Sequence, residues 1–414
     1  MKLRIAVVFG GRSTEHEISV ISALQAVQSM DTEKYEVIPV YLTKTSEFYV
    51  GKGIADIENY SHIPELLKNA TRVIWVREGS RVNLYRFPMK KFGDSLVSGV
   101  DVVLPIVHGT NVEDGTLQGF FGTLNIPYAG CDVCSSALGM NKYAMKAVLE
   151  QNGIPVLPCS VYTWKEYEES DALMKDIEDR YAYPVIVKPL NLGSSIGISK
   201  AKDRASLADA LELAFEFTKT ILVEPAITEL REINCAVLGD YEKAEASECE
   251  EPLNAEDILT FEDKYMSGGK GGAKTAGAKT AGAKAAGGGS KSGMASLQRR
   301  LPADLTPARR DEVRKMAVDT FKALGCSGVA RIDFMIDKSE DRLYVNEINT
   351  IPGSMSFYLW EPLGISYPQL LDRVIELALK KQREEEKMVF TFDSNVLAGV
   401  KLGGSKGGSK TAGK

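Results

Sequence analysis

Hydrophobic and polar positions in this chain follow two alternating rhythms. Short apolar runs are separated by longer stretches in which apolar residues recur every three or four positions. The first kind reads as buried strands and the second as amphipathic helices. Residues 4–9, Arg-Ile-Ala-Val-Val-Phe, form the first predicted strand, and Gly10-Gly11-Arg12-Ser13 turns the chain into a helix over 14–30. Strands follow at 35–41 and 104–107. Helices are predicted over 141–152 and 165–180, then a strand at 184–188 and the loop 189–197. A helix over 204–218, a strand at 221–224 and strands near 233–238 and 243–248 come next. A helix over 306–324 leads into a pair of alternating runs, and 367–387 is a last amphipathic helix. Strands alternating with helices imply an α/β fold with a parallel sheet and crossover connections. In such sheets ligands bind at the carboxyl ends of strands, against helix N-termini. The strand-to-helix loops 10–17 and 108–119 are therefore candidate ligand loops.

The paired runs near the end carry the densest chemistry. Arg331-Ile332-Asp333-Phe334-Met335-Ile336 and Leu343-Tyr344-Val345-Asn346-Glu347-Ile348-Asn349 flank the polar stretch 337–342. Two alternating runs around such a turn read as an antiparallel hairpin. Centred near Glu340, it sets Asp333 opposite Glu347 and Arg331 opposite Asn349, all on one face. Opposed carboxylates repel by about 0.2–1 kcal/mol. A hard divalent cation removes that repulsion, and Asp, Glu and Asn oxygens with phosphate oxygens suit Mg2+. A solvated acidic face on an ordinary hairpin satisfies the same pattern.

Composition narrows the class. At 414 residues, 44% hydrophobic and 26% charged, the chain has room for two or three globular domains. No apolar run approaches the roughly 18 residues that span a bilayer, and the N-terminus reads as a buried strand. The formal charge of −6 conceals nine lysines in two segments without acids, 267–293 and 394–414. The remainder is more acidic still, which argues against nucleic-acid binding. Both segments are Gly-, Ala- or Ser-rich and cannot bury a core. The first begins directly after Glu262-Asp263-Lys264-Tyr265, where a lid or a linker would each fit. The six cysteines are scattered apart from Cys131 and Cys134. Without further ligands at metal spacing they read as isolated thiols of a reducing, cytoplasmic compartment.

Gly193-Ser194-Ser195-Ile196-Gly197, behind a strand ending in Lys188, is a loop whose N–H groups and hydroxyls suit phosphates. It matches neither a P-loop nor a dinucleotide fingerprint, and a plain surface turn has the same composition. Combined with His108-Gly109-Thr110-Asn111-Val112-Glu113-Asp114-Gly115 and the Arg-Ile-Asp…Asn-Glu-Ile-Asn-Thr-Ile-Pro-Gly stretch, it resembles the ATP-grasp superfamily. Within that superfamily the match is to the D-alanine–D-alanine ligases and their relatives that use D-lactate or D-serine second. The likeness runs from about residue 2 to 387.

The resemblance implies three domains: an N-terminal doubly wound α/β substrate-binding domain (1–125) and two α+β parts that sandwich ATP (126–225 and 226–388). The last carries the insert 267–293 and precedes a tail, 389–414. It implies an ATP- and Mg2+- (or Mn2+-) dependent ligase of D-amino acids, a homodimer serving peptidoglycan synthesis and hence cell wall and cell shape. By resemblance, Glu15 grips the first substrate's ammonium and His108 lies by its carboxylate. Lys142 and Lys188 hold ATP phosphates, with Ser195 against them. Ser194 links Glu15 to the lid residue Tyr265, and Lys264 lies near the γ-phosphate. Glu224, Pro225, Ala226 and Ile227 form the adenine hinge, and Glu232 holds ribose. Asp333, Glu347 and Asn349 are metal ligands, Arg331 stabilises the transition state, and Gly353 offers an N–H to the oxyanion. Tyr358 and Leu359 fall beside the second substrate.

Several positions depart from the family pattern. Val112 replaces a glycine, so the loop is expected to lose a left-handed conformation. Asn141 replaces an aspartate that caps a helix, a role either residue fills. One extra residue separates Glu224 from Glu232, and the lid is long. Tyr358 replaces a serine that contacts the second substrate's carboxylate, which leaves the acceptor open among D-alanine, D-serine, D-lactate and a larger amine. A non-catalytic nucleotide-binding module docked through its lysine-rich segments is the remaining alternative.

Overall fold

The computed structural model describes residues 2–193, 196–253, 299–391 and 394–395. Ser194, Ser195, Lys264 and Tyr265, the insert 267–293 and most of the tail lie outside them. The first sheet has seven strands: β1 (Leu3–Gly10), β2 (Tyr35–Leu42), β3 (Phe48–Val50), β4 (Thr71–Glu78), β5 (Arg81–Arg86), β6 (Leu96–Val100) and β7 (Val102–Ile106). Their order is β6-β5-β4-β3-β2-β1-β7. Only β2, β1 and β7 run parallel. The others are antiparallel: the β2–β3, β4–β5 and β5–β6 links are too short for crossovers, while β3 and β4 pair antiparallel across a longer helical connection. The expected parallel sheet is thus a parallel centre with an antiparallel extension. Strands β3 to β6 are absent from the sequence prediction, although Thr71–Glu78 and Arg81–Arg86 alternate around Gly79-Ser80, a two-residue hairpin signal.

Helices α1 (His16–Ser29), α2 (Ile63–Asn69) and α3 (Thr116–Thr123) complete this part. Helix α1 is anchored by Ser19, whose hydroxyl donates to the Ile106 carbonyl at 2.6 Å and accepts from the Gly10 N–H at 2.8 Å. That pair of bonds fixes the helix start over the ends of β1 and β7.

The second sheet, β8 (Ser160–Thr163), β9 (Val185–Pro189), β10 (Ser199–Ala201) and β11 (Thr220–Pro225), is antiparallel in the order β10-β9-β11-β8. Before it come α4 (Val133–Met140) and α5 (Lys142–Gln151). Asn141 caps α5 by accepting from the Ala144 N–H at 3.0 Å, the role its aspartate counterpart would play. The helix expected over 165–180 is two, α6 (Trp164–Tyr167) and α7 (Ser170–Arg180), with α8 (Arg204–Phe217) after them.

The third sheet is also antiparallel: β12 (Leu230–Gly239), β13 (Ala244–Pro252), β14 (Arg299–Arg300), β15 (Gly328–Asp337) and β16 (Arg342–Asn349), in the order β14-β13-β12-β15-β16. Helix α9 (Pro307–Ala323) covers one face, closing a core of Ile233, Cys235, Val313, Phe321, Ile332, Phe334 and Ile348. Met145 and Leu149 of α5 belong to that core. Helix α10 (Tyr367–Glu385) instead buries Leu370, Leu371, Val374 and Ile375 in the core of the first sheet, with Tyr35 and Met30. The chain therefore returns to its N-terminal part after the third sheet and ties the two together.

The face of the third sheet opposite α9 faces the cleft. Register places Glu250, Asn234, Asp333 and Glu347 in one transverse row, one from each of four strands. Ala236, Arg331 and Asn349 form the next row. The pairing of Asp333 with Glu347 and of Arg331 with Asn349 is the one read from the sequence. A bulge between Asp333 and Phe334 shifts the remainder of the hairpin, so Asp337 pairs with Arg342. The bulge leaves Asn346 without an opposite residue and aims it at Lys188, whose Nζ lies 3.3 Å from its Oδ1.

Candidate active site

Six elements converge on one cleft, which Glu15, His108, Glu113, Lys142, Arg331, Glu347, Asn349 and Gly353 line together. Glu15 opens α1, and its carboxylate is held between Gly109 and Gly193. A side chain at Gly109 (φ +84°) would place its Cβ 2.8 Å from Glu15 Oε2, and one at Gly193 3.0 Å from the same atom. Both glycines are needed for this close approach.

His108 follows β7 and is buried. Its Nδ1 lies 2.9 Å from the Ile351 carbonyl and its Nε2 3.1 Å from Ser22 Oγ. A carbonyl only accepts, so the proton sits on Nδ1 and Nε2 accepts from the serine. Burial pushes the imidazole pKa down to about 4, with Arg331 adding to the shift. His108 is therefore neutral near pH 7 and acts by hydrogen bonding, not as a cation.

Val112 does not remove a left-handed turn from this loop. Gly109, Asn111 (φ 67°) and Gly115 (φ 94°) carry the positive φ angles. Val112 is buried, and its Cγ1 is 2.4 Å from where a Gly11 Cβ would stand, so the two loops interlock. The following Glu113 was not singled out by the sequence. Its carboxylate accepts from the N–H groups of Gly109 (3.0 Å) and Ile351 (2.9 Å) and from the Thr350 hydroxyl (3.3 Å). It ties the His108 loop to the end of β16. Burial, reinforced by Glu15, raises its pKa to about 7 despite those donors.

The second sheet supplies a buried cationic group. Glu224 at the end of β11 receives Lys188 at 2.5 Å on one oxygen and Lys146 on the other. Burial opposes the anion, but Lys188 and Lys146 outweigh it and hold the carboxyl down to about 2. Lys146 also donates to the Leu157 carbonyl at 3.0 Å. Lys142 donates to the Leu192 carbonyl at 2.5 Å and lies 3.7 Å from Glu347. Burial lowers the pKa of Lys142, as does neighbouring Lys188. Desolvation lowers that of Lys146 too. Lys146 escaped the sequence reading, yet its i+4 spacing from Lys142 on α5 puts both on one helical face.

Of the expected hinge residues, Glu224 and Pro225 end β11, and the Ala226 N–H donates to the Pro184 carbonyl at 3.0 Å. Ile227 follows, half-buried. Glu232 lies on the cleft face of β12, paired with Met335.

Arg331 makes two bonds to Asp333, Nε to Oδ1 at 2.6 Å and Nη2 to Oδ2 at 2.7 Å. Burial disfavours this cation, but Asp333 reverses that and raises its pKa well above the ordinary value. Asn349 Nδ2 donates to Asp333 Oδ2 at 3.1 Å. Among the described residues, no cluster of three or more His, Cys, Asp or Glu forms a self-sufficient metal cage. Two carboxylates and one amide oxygen instead fit a hard cation that draws its other ligands from phosphates and water.

After β16 the chain enters a 3-10 segment, Gly353–Leu359, with Ser354, Met355 and Ser356 all left-handed (φ 52°, 54° and 48°). The Ser354 N–H donates to Ser22 Oγ at 3.0 Å, which already holds His108. Tyr358 is buried, and its hydroxyl donates to Glu250 Oε1 at 3.1 Å. Leu359 is fully buried in the apolar core.

Two antiparallel sheets facing each other across buried lysines and a carboxylate hairpin, beside an N-terminal α/β layer, define an ATP-grasp protein. The chain belongs to the D-ala D-ala ligase family, matching its N-terminus over residues 4–131 and its C-terminus over 148–285 and 290–376. It is 37% identical to the D-alanine–D-alanine ligase of Thermosipho melanesiensis over 97% of this chain and 99% of that protein. It is 36% identical to that of Acetivibrio thermocellus over 93% and 98%. The solved D-alanine-D-alanine ligase from Coxiella burnetii superposes with a TM-score of 0.74 at 30% identity, covering 93% of this chain and 96% of that one. The VanG D-Ala:D-Ser ligase from Enterococcus faecalis superposes with a TM-score of 0.72 at 31% identity, covering 91% and 100%.

Proposed function

We propose that this chain is an ATP-dependent ligase that joins two D-alanines, the first as carboxylate donor and the second as amine acceptor. One observation carries the reading. Lys142, Lys146 and Lys188 are buried together, and among the described residues Glu224 pairs with two of them while Glu347 lies 3.7 Å from the third. Gathering buried cations at one point is costly unless anions join them. The polyphosphate of a nucleotide is an anion suited to that point.

In this reading the donor's ammonium sits at Glu15, with Glu113 behind it and neutral His108, its ring held by Ile351 and Ser22, beside the carboxylate. The donor carboxylate attacks the γ-phosphate, giving an acyl phosphate and ADP. The acceptor amine then attacks the acyl carbon, and phosphate leaves. Asp333, Glu347 and Asn349 would hold Mg2+ or Mn2+, which supplies charge neutralisation to the phosphates. Lys142, Lys188 and Arg331 position the transferring group, since such transfers depend on placement and electrostatics more than covalent help. The Gly353 N–H is offered to the developing oxyanion. The same reading assigns Ser194, Ser195, Lys264 and Tyr265 to closure over the phosphates. Exclusion of water protects an acyl phosphate from hydrolysis.

No described helix is long and apolar enough to cross a membrane. A cytoplasmic homodimer serving peptidoglycan synthesis accords with the family. The test is the product mass from ATP, Mg2+ and D-alanine, with phosphate release measured in parallel. D-alanyl-D-alanine formed stoichiometrically with phosphate is expected. No phosphate release with any pair of D-amino acids would refute the reading.

A further inference from the structure

Resting on the ligase reading, we propose that Ser22 and Gln25 on α1 are positioning residues for the acyl-transfer step: they hold Ser354 in its left-handed conformation and thereby set the Gly353 N–H against the reacting acyl carbon. Ser22 Oγ accepts from the Ser354 N–H at 3.0 Å, and Gln25 Oε1 accepts from the Ser354 hydroxyl at 2.6 Å. Residues three apart share one face of a helix, so both side chains reach the same target. Ser22 and Ser354 are each 1% exposed.

Gly353 lines the cleft, and Ser354 follows it directly. Ser354, Met355 and Ser356 run left-handed in succession. L residues adopt that backbone at a cost, and a run of three persists only where the surroundings impose it. Met355, Leu359 and Trp360 pack into the core of the first sheet. That packing buries the segment, but non-directional apolar contact does not select a backbone angle at Ser354. The two hydrogen bonds from α1 do, because each fixes a direction.

The same anchoring continues on the near side of Gly353. The Ile351 N–H donates to Glu113 at 2.9 Å, and the Ile351 carbonyl accepts from His108 at 2.9 Å. The Ser22 hydroxyl donates in turn to His108 Nε2 at 3.1 Å. Ile351 and Ser354 follow β16 in the chain, yet Glu113, His108, Ser22 and Gln25 hold them from the N-terminal layer. Helix α1 also begins at Glu15, where the donor's ammonium is placed. One helix therefore fixes both the donor and the N–H offered to its carbonyl oxygen. Phosphoryl transfer draws instead on Lys142, Lys188 and the β15–β16 hairpin, so loosening Ser354 should harm the second step and spare the first.

The experiment measures phosphate and dipeptide together, from full-length protein with ATP, Mg2+ and D-alanine. The wild type is expected to release one phosphate per dipeptide. In Ser22→Ala, dipeptide kcat should fall by about a hundredfold, the usual effect of misplacing a reacting group by about 1 Å, while the KM for ATP holds. Acyl phosphate still forms there. Where the amine is slow, water attacks the acyl carbon, the bond from that carbon to the phosphate oxygen breaks, and D-alanine and phosphate result. Phosphate should therefore exceed dipeptide in Ser22→Ala, and to a smaller degree in Gln25→Met. A ratio that stays at one in either variant overturns the role of that residue, even where the rate falls, because a merely structural defect lowers both products together. Should Ser22→Ala fail to fold, Gln25→Met, at a half-buried position, decides in the same way. A wild type that yields neither phosphate nor dipeptide would instead refute the ligase reading itself.

Discussion

Replacing Glu113 by Gln should change the pH dependence of stability more than its magnitude. Three donors converge on this carboxylate from Gly109, Ile351 and Thr350, each favouring the anion. Burial and the neighbouring Glu15 nevertheless outweigh them, and the group titrates near 7 against an ordinary 4.5. A folded pKa above the unfolded one gives stability that is complete below about pH 4.5 and lost as the pH rises through 7. At about 1.4 kcal/mol per unit, the loss amounts to about 3 kcal/mol. Gln cannot titrate, but it replaces one acceptor oxygen with donors and mispairs a backbone N–H, at about 1–3 kcal/mol. The variant should therefore be the less stable protein at pH 5 and equal or exceed the wild type at pH 8. His108, with a folded pKa near 4, is present in both and cancels. Urea-unfolding midpoints of the two proteins, measured from pH 5 to 8, read the difference. A difference that stays constant over that range refutes the reasoning. A donor ammonium bound at Glu15 would favour the Glu113 anion, so saturating D-alanine should flatten the wild-type profile.

Other substitutions probe the remaining parts of the site. Asp333→Asn leaves Arg331 without its bidentate carboxylate and turns one of the two charged oxygen ligands neutral, so steady-state turnover should fall about a hundredfold or more at saturating ATP. Lys146→Met leaves Glu224 with Lys188 alone. It should cost about 3–5 kcal/mol by denaturation and raise the KM for ATP while that for D-alanine stays put. Ser356→Gly relieves a left-handed residue whose hydroxyl finds no hydrogen-bond partner among the described residues. Thermal unfolding should show a gain of about 1 kcal/mol, the strain of one such residue.

The hairpin shows how far local pattern reaches. Alternation and a polar turn were enough to pair Asp333 with Glu347 and Arg331 with Asn349, because side-chain direction along a strand has a period of two. The bulge that turns Asn346 toward Lys188 left no mark in that alternation, since an extra residue is indistinguishable from a longer turn. Strands β4 and β5 were legible in principle through the alternation around Gly79-Ser80, but a local hairpin pattern does not say which sheet it extends. The pairing of Lys146 with Glu224 and the clamp of Glu250 on Arg299 and Tyr358 join residues dozens of positions apart or more. No local rhythm records such partners.

By itself the sequence determined which faces are apolar, where the chain turns, and which short motifs carry oxygen ligands and phosphate-binding lysines. These follow from backbone periodicity and the chemistry of single side chains, which are local. Only the tertiary structure decided the charge state of the site: His108 neutral, Glu113 titrating near neutrality, Glu224 an anion held by two lysines. Those states depend on which groups burial brings together and how much water it removes, and neither quantity is a property of any one stretch of chain.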